Sequence, residues 1–504
     1  MPDLIGVDES GIYLTTFKVK TKYMTTDHHD KFYTLYKFNL QYKQLFEYEY
    51  ETNLKKSEVS NILLIKKNLY LFSFLHDLKE KKYTVFGAML NKENGKIAGE
   101  LKELFSFDLA EKDDLTMLFT NPSTDSSRII ITAMHQPAKN IKSALYTKIV
   151  DLELNSTGMF YSGSEKQKEV MIPTDIIPAK GGINIMIAKK DEISSKYITI
   201  SGYNKEGNKL YNIKVDSTGK YLLNGKATLI DSNILMFTGL YCTSSMKNEI
   251  NGVLINKYDV LSGTLISSSA QTLPQGVFKN NGKGNEGIPN TFRLRSVSIN
   301  PKTNSPVIMA EIFYGNSSTR TDYVTNNNSP VRKIEYTTNF TFVNADMMLI
   351  ETDQNLQISR VITLPKQQTQ KWSLPGYYGS LSNEDEGFAT MYSGKSLDFY
   401  SSYKSFTYKD KIIFILNDHP GNMNVKSSVT AAKPADDLST STTFVLTYDF
   451  NSGVLTRKAL FNNSGQPIPV VKDAVLMGNE IFLYARLPHL LGKSEYEIIK
   501  IIIK

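Results

Sequence analysis

The sequence predicts an all-β repeat protein of about eight four-stranded antiparallel units. Three observations lead there. "YDVLSGTLIS" at 258–267 and "YDFNSGVLTR" at 448–457 write nearly the same hairpin in distant parts of the chain. Relatives of that hairpin recur at 36–44, 89–97, 151–159, 202–210 and 351–359. The composition, with 29 Tyr and 25 Phe beside many Ile, Val and Thr, favours strands over helices.

Each copy of the hairpin has alternating apolar residues, a turn rich in Asp, Asn and Gly, and a second apolar stretch. Asn and Gly tolerate the left-handed backbone of tight hairpins, which is why they recur there. A second hairpin type is interleaved with the first: "VDESGIYLTTF", "IKKNLYLFSF", "TDSSRIIITAM", "AKGGINIMIA", "IDSNILMFTG", "PKTNSPVIMAEI", "YKDKIIFILN" and "LMGNEIFLYA". All but the last are followed by a hairpin of the first type. The unit is therefore strand one, turn, strand two, loop, strand three, turn, strand four. Second strands such as "RIIITAM" and "KIIFILN" are apolar on both faces, as expected of strands sandwiched between neighbouring sheets. The last unit supplies three strands, "KDAVLMGN", "EIFLYARL" and "YEIIKIIIK". A membrane barrel would need longer strands with lipid-facing alternation.

This unit resembles the blade of the β-propeller superfamily, and the resemblance covers essentially the whole chain. It comes from architecture: there is no repeated Trp-Asp ending and no paired-glycine signature. "VDESGIYL" and "VDSTGKYL" (215–222) approach a sialidase Asp-box without its tryptophan. The Lys-, Asn- and Tyr-rich style resembles exported propellers of Bacteroidota-type bacteria. The expected architecture is a single propeller domain over 1–504 with eight blades (seven as the alternative) and a final blade of three strands. Long loops are expected at 273–291, 314–341, 365–400 and 417–441. All four fall on the face that carries the strand two–three loops and the blade connections. That face is the expected working surface.

Composition bounds the function. The net charge of +7 is spread along the chain without a basic block, which argues against nucleic acid. Cys242 is the single cysteine, so neither an intrachain disulfide nor a thiolate cluster can form. No apolar run reaches the roughly 20 residues of a membrane helix. "MPDLIGVDES" lacks the features of a signal peptide. The expected address is periplasmic or outer-membrane-associated if a leader has been removed, and cytoplasmic otherwise.

Two groups of site residues stand out. The segment 371–403 holds Trp372, Tyr377, Tyr378, Tyr392, Tyr400 and Tyr403 amid Gly and Ser, a composition suited to gripping a protein or a sugar. The alternative is that these aromatics fasten the loop to its own blade. The six histidines, His28, His29, His76, His135, His419 and His489, are all expected in strand two–three loops. Asp27, Asp30, Asp77 and Asp418 lie beside them in sequence. Imidazole with carboxylate can ligate a divalent metal, although no close ligand spacing is present. "GKGNEG" (282–287) lacks the strand-to-helix context of a dinucleotide site. Glu384, Asp385 and Glu386 read as a solvated acidic turn. The leading reading is a non-enzymatic propeller that binds a protein partner through its loop-rich face, without a cofactor, as an accessory subunit of a bacterial envelope, secretion or surface complex. A metal-dependent carbohydrate lyase or hydrolase on the histidine arc is the alternative, and a carbohydrate-binding propeller is third.

Overall fold

The computed structural model describes residues 2–21, 29–50, 57–109, 115–123, 125–136, 144–163, 170–191, 196–215, 217, 219–243, 249–274, 288–325, 332–375, 400–425, 432–487 and 495–503. Strands follow one another with no α-helix among the described residues; the four helical turns are short 3₁₀ segments. No helix among those residues is long and apolar enough to cross a membrane.

Among the described residues eight four-stranded sheets succeed one another along the chain, beside one two-stranded pairing of Glu249–Ile250 with Ile288–Pro289, and in seven of the eight the four strands lie side by side in sequence order. The first comprises Pro2–Asp8, Gly11–Thr21, His29–Phe38 and Gln44–Tyr50. The second comprises Glu58–Ile65, Asn68–Asp77, Lys82–Leu90 and Lys102–Asp108. Leu115–Pro122, Ile129–Gln136, Ala144–Val150 and Ser156–Gly163 form the third. Val170–Pro178, Asn184–Asp191, Lys196–Tyr203 and Lys209–Lys214 form the fourth. Tyr221–Leu229, Ile234–Cys242, Gly252–Asp259 and Leu265–Thr272 form the fifth. The sixth has Phe292–Ile299, Pro306–Thr325, Arg332–Thr352 and Ile358–Pro375, and the seventh Tyr403–Tyr408, Lys411–Asp418, Thr442–Asp449 and Leu455–Asn462. In the eighth, Ile468–Pro469 and Val475–Met477 share one edge of Glu480–Leu487, and Glu495–Ile502 takes the other. That sheet therefore counts four strands where the sequence predicts three, and because two of them share one edge it is three strands wide. A series of such up-and-down sheets is the blade series of a β-propeller.

The chain groups into two compact units: Met1–Thr218 with Gly225–Phe237 and Asn256–Ser268, and Gly219–Asn224 with Thr238–Ile255 and Ser269–Lys504. The fifth sheet contributes residues to both. Within each unit the core is a stack of layers between successive sheets. In the first unit Tyr13, Leu35 and Tyr50 of sheet one pack with Leu69 and Leu71 of sheet two. Tyr70 and Phe72, on the opposite face of that same strand, pack with Ile129 and Ile131 of sheet three. The second unit repeats the rule. Ile412, Phe414 and Leu416 face sheet six, while Ile413 and Ile415 face sheet eight. This is why second strands are apolar on both faces: each serves two layers.

The repeated turn has a common construction in sheets one to seven. An Asx residue opens it, at Asn39, Asn91, Asp151, Asn204, Asp259, Asp353 and Asp449, and its side-chain oxygen accepts backbone N–H bonds from within the turn. A left-handed residue closes it, at Tyr42, Gly95, Leu154, Gly207, Gly263, Leu356 and Gly453. The N–H of that residue returns to the carbonyl of the opening Asx residue in every case. "DVLSG" and "DFNSG" are two spellings of one Asx turn.

Strand four of one sheet then reaches the turn of the next. Tyr50 Oη donates to Gly95 O (2.5 Å), Lys102 Nζ to Leu154 O (2.9 Å), Tyr211 Oη to Val260 O (2.9 Å) and Ser269 Oγ to Leu356 O (3.3 Å). Between sheets three and four the contact is steric, because a Cβ on Gly207 would lie 2.3 Å from Met159 O. Gly207→Ala is therefore expected to lower the stability of the first unit by about 2 kcal/mol or more, combining the cost of positive φ with the clash. Gly99→Ala, also at positive φ but with nothing within 4 Å, should cost only about 1 kcal/mol. Urea unfolding midpoints of the two variants check the ordering.

Candidate recognition arm and the charged network at its root

The three last strands of sheet six are 20, 21 and 18 residues long. Strand lengths elsewhere in the complete sheets run from 6 to 11 residues. Segments 314–341 and 365–400, expected as loops, are in part continuous strand. Tyr314 to Thr325 pairs without interruption against Val343 to Arg332, and Thr337 to Ala345 pairs with Pro375 to Gln367. The physical reason lies in "NSSTRTDYVT" and "RKIEYTTNFTF", which are rich in β-branched and aromatic residues, so the hairpin extends where an insertion was expected to loop. At about 3.3 Å per residue, the arm beyond Phe313 reaches roughly 40 Å. Of the other long segments, 275–287, 376–399 and 426–431 lie outside the described residues.

The arm leaves the sheet along a line of bulges. Register shifts occur between Leu294 and Ser296, between Glu311 and Phe313, and between Ala345 and Met347. A bulge re-aims side chains, and here it turns polar ones inward. Glu311, fully buried, accepts from Arg295 Nε (2.7 Å) and Ser402 Oγ (2.5 Å) and pairs with Lys366 Nζ (2.5 Å). Lys366, equally buried, also donates to Asn344 O (3.1 Å) and Gln368 Oε1 (2.7 Å), so its three protons are all engaged. Burial alone pushes Glu311 upward, but Lys366 and Arg295 together hold it below the ordinary carboxylate range. Beside this group Asp418 pairs with Arg457, whose guanidinium lies over the Phe444 ring at 4.4 Å. Burial pushes Asp418 up despite that partner. Two cations, Arg295 and Lys366, share the one carboxylate of Glu311, while Asp418 has Arg457, and what these directional pairs supply is position.

The same network fixes both ends of the 376–399 insertion. Tyr400 N donates to Gln370 Oε1 (3.0 Å), Ser402 N to Gln368 Oε1 (2.8 Å), and Asn417 Nδ2 to Tyr400 O (3.0 Å). Ser402 is held at φ 67°, a left-handed conformation that side chains rarely adopt. A second insertion buttresses the arm. Ala435 pairs in parallel with Gln368, giving Ala435 N to Gln367 O (2.7 Å) and Thr369 N to Ala435 O (3.0 Å). That segment is folded by Asn422, which exchanges bonds with Lys433 (2.9 and 2.8 Å).

The aromatic set divides. Tyr400 and Tyr403 are buried, not displayed, and burial pushes Tyr400 up to about 12. They fasten the re-entering chain, the alternative weighed for them. Trp372 lies in strand four of sheet six opposite Phe340, and its side chain is outside the described residues, as are Tyr377, Tyr378 and Tyr392. The histidines also depart from expectation. His76 and His135 end second strands and do not sit in loops, and His29 opens a third strand. The second strands simply run further than their apolar cores. His76 lies 6.0 Å from the Tyr83 ring and His135 6.0 Å from that of Phe107. His419 caps the turn Pro420–Asn422, with its Nδ1 accepting from Gly421 N at 2.9 Å. His28 and His489, Asp27, and the run Glu384, Asp385, Glu386 lie outside the described residues. Among those that are described, no three His, Cys, Asp or Glu side chains gather as a metal site.

Glu311, Lys366, Asn344 and Gln368 were not singled out from sequence. The available signal was a carboxylate inside the apolar run "VIMAEIFYG" and a lysine after proline in "LPKQQTQ". Polar residues in a buried strand pattern need partners.

Two consequences can be measured. Lys366→Met leaves Glu311 buried against one cation fewer and should destabilise the second unit by about 3–5 kcal/mol. Asp346, which accepts from Lys366 N (2.9 Å), is pushed up to about 6 by burial, with Asp418 adding to the shift. A raised carboxylate favours the folded state only while protonated, so the penalty is absent below its unfolded value of 3.8 and complete above about 6. Asp346→Asn should therefore raise stability by about 1–3 kcal/mol at pH 7.5 and change little at pH 4, read from paired melting curves.

No protein-family model matches the chain, and no curated protein matches it. Among solved structures, the β-propeller domain of the Trilobed protease from Pyrococcus furiosus is similar over 92% of this chain and 95% of its own, at 11% identity and a TM-score of 0.34. Prolyl oligopeptidase B from Galerina marginata is similar over 60% of this chain, at 13% identity and a TM-score of 0.28, and the match spans 37% of its own length. The α-L-arabinanase of Penicillium chrysogenum is similar over 54% of this chain and 92% of its own, at 8% identity and a TM-score of 0.28. Likenesses at these levels carry no argument about what this chain does.

Proposed function

We propose that the chain is a protein-binding propeller whose recognition element is the arm of sheet six. The observation that supports this reading is the arm itself, three strands prolonged past their sheet and secured at the root by buried charge. Strands average 5–6 residues in globular proteins, and a ribbon several times that length exposes backbone and side chains that the core does not use. Its root is rigid, which limits the ordering cost of binding. Asn316, Ser318, Arg320 and Thr321 present a polar, largely uncharged outer surface with Tyr314 at its base. That composition suits a polar, wet protein interface better than a nucleic acid or lipid surface. The role is that of a non-enzymatic accessory subunit, and a bacterial envelope complex is the setting the same reading favours.

The arm can be tested in place. A photo-crosslinking residue at Thr321 should give one discrete protein adduct in source cells, and the same residue at Leu261, in the turn of sheet five, should give none. Replacing 316–339 by a two-residue turn should abolish the adduct formed from a crosslinker at Tyr314 while leaving the unfolding midpoint within about 1 kcal/mol of the parent. Equal labelling at Thr321 and Leu261, or an arm deletion that unfolds the protein, would overturn the reading.

A further inference from the structure

The layer between sheets two and three is apolar for most of its depth and polar at one end. Tyr70, Phe72 and Phe74 of sheet two pack there with Ile129, Ile131 and Ala133 of sheet three. Strand alternation carries the same two faces one step further, to His76 and His135. His76 is paired across its sheet with Tyr83, Tyr83 with Phe107, and His135 with Thr116. Ring centroids lie 6.0 Å apart for His76 and Tyr83, 5.4 Å for Tyr83 and Phe107, and 6.0 Å for Phe107 and His135. Three polar atoms at this level, His76 Nε2, Tyr83 Oη and Thr116 Oγ1, are buried without a hydrogen-bond partner among the described residues. We infer that they form a built site for internal water, which bridges sheet two to sheet three. The inference concerns the first unit and does not rest on the arm.

The occupant's chemistry follows from the three atoms. Buried polar groups are paired with few exceptions, so three orphans at one level call for a common cause. Tyr83 is 1% exposed, and burial, with the charge of Glu58 adding to it, pushes its phenol up. It therefore stays a neutral O–H donor. A neutral His76 offers Nε2 as donor or acceptor according to its tautomer, and the Thr116 hydroxyl can do either. The occupant must accept from Tyr83 and exchange two further bonds with groups of mixed sense. Water is the smallest molecule that does so, and buried waters make about three hydrogen bonds to otherwise unpaired groups. The next level of the layer offers no competitor, because rings fill it: Phe74 stacks on Tyr83 at 5.3 Å and Tyr146 on Phe107 at 3.9 Å.

The turn end of the same layer shows what the water replaces. There Tyr70 Oη reaches Leu152 O (2.7 Å) and Lys102 Nζ reaches Leu154 O (2.9 Å), so side chains of sheet two meet carbonyls of sheet three directly. At the histidine end neither Tyr83 Oη nor His76 Nε2 makes such a bond among the described residues, and Thr116 Oγ1 waits on the facing sheet. A water supplies the missing length. A metal ion fits poorly, because it would need Tyr83 as a phenolate, the form that burial disfavours.

The sign of one substitution in the full chain separates the two cases. If the Tyr83 hydroxyl is an orphan, Tyr83→Phe removes a desolvated group at no loss, and the unfolding equilibrium constant falls. If it holds water, the constant should rise, by about five- to ten-fold. Thr116→Val should act in the same direction, and the double variant should fall short of the product of the two, since both release the same water. Water relaxation dispersion should count at least one long-lived internal water fewer in the double variant than in the parent, while Thr116→Ser, which keeps the hydroxyl, should leave the count unchanged. A stabilised Tyr83→Phe, fully independent effects, or a count that ignores the double variant would overturn the proposal. So would a crystal structure of the parent chain without water density between these three atoms, a readout that needs no variant to fold.

Discussion

A tight turn that closes through a left-handed residue leaves a carbonyl pointing away from its own hairpin, and that carbonyl needs a donor. Here the neighbouring sheet supplies it. Tyr50, Lys102, Tyr211 and Ser269, of three different residue types, do one job, each on strand four and each aimed at the next sheet's turn. The bond does more than satisfy a polar group. It fixes how far each hairpin extends relative to its neighbour, and so sets which apolar side chains meet across the layer. Tyr70 adds a second tether of the same kind, from strand two to Leu152 O at 2.7 Å. Because the turn is held on both sides, it cannot lengthen without losing its partner. That explains why seven turns kept one construction while their sequences diverged from "FNLQYK" to "YDFNSG".

The opposite ends of the strands are under no such constraint, and the insertions are found there. Sheet six shows what an insertion needs in order to become structure. Its hairpin could grow as a ribbon because its residues favour pairing, but a ribbon rooted in an apolar layer would pivot. The buried Glu311, with Arg295 and Lys366, removes that freedom through directional bonds to three strands of sheet six and, through Ser402, to the start of sheet seven. A buried ion pair is a poor device for stability, since desolvation offsets much of its Coulomb energy. Its directional value is greater. The raised carboxyl of Asp346 nearby shows that the arrangement carries an energetic cost, one that an apolar root would have avoided.

Much of the fold was legible in the sequence because the repeat is built from local rules. Asx residues with a left-handed partner mark turns, doubly apolar runs mark second strands, and counting them gives eight sheets, although the split first strand of the last one was read as a single strand. The site was legible only in part. Loop length marked 314–341 and 365–400, but the reading took length for irregularity, whereas "NFTFVNADMMLI" simply continues as strand. Tyr400 and Tyr403 sit among glycine and serine in sequence, and only the return of the chain to sheet seven buries them. The partners of Glu311 come from residues 295, 366 and 402, and no spacing rule links positions so far apart. Histidine position was misjudged for a simpler reason: polar residues at strand ends pair as readily as apolar ones.

The eighth sheet follows from the same constraint that shaped the others. Without a strand four it has no Asx turn of the repeated kind. Its first strand is also broken by the turn at Val471–Asp473, so that two short pieces share the work of one. The sheet is nonetheless well packed on the side of sheet seven, where Val471, Ile481 and Leu483 join Ile413 and Ile415. On the edge strand Lys500 is drawn back to Glu480 at 3.1 Å, which ties the last strand to the middle one by a side-chain pair as well as by the ladder.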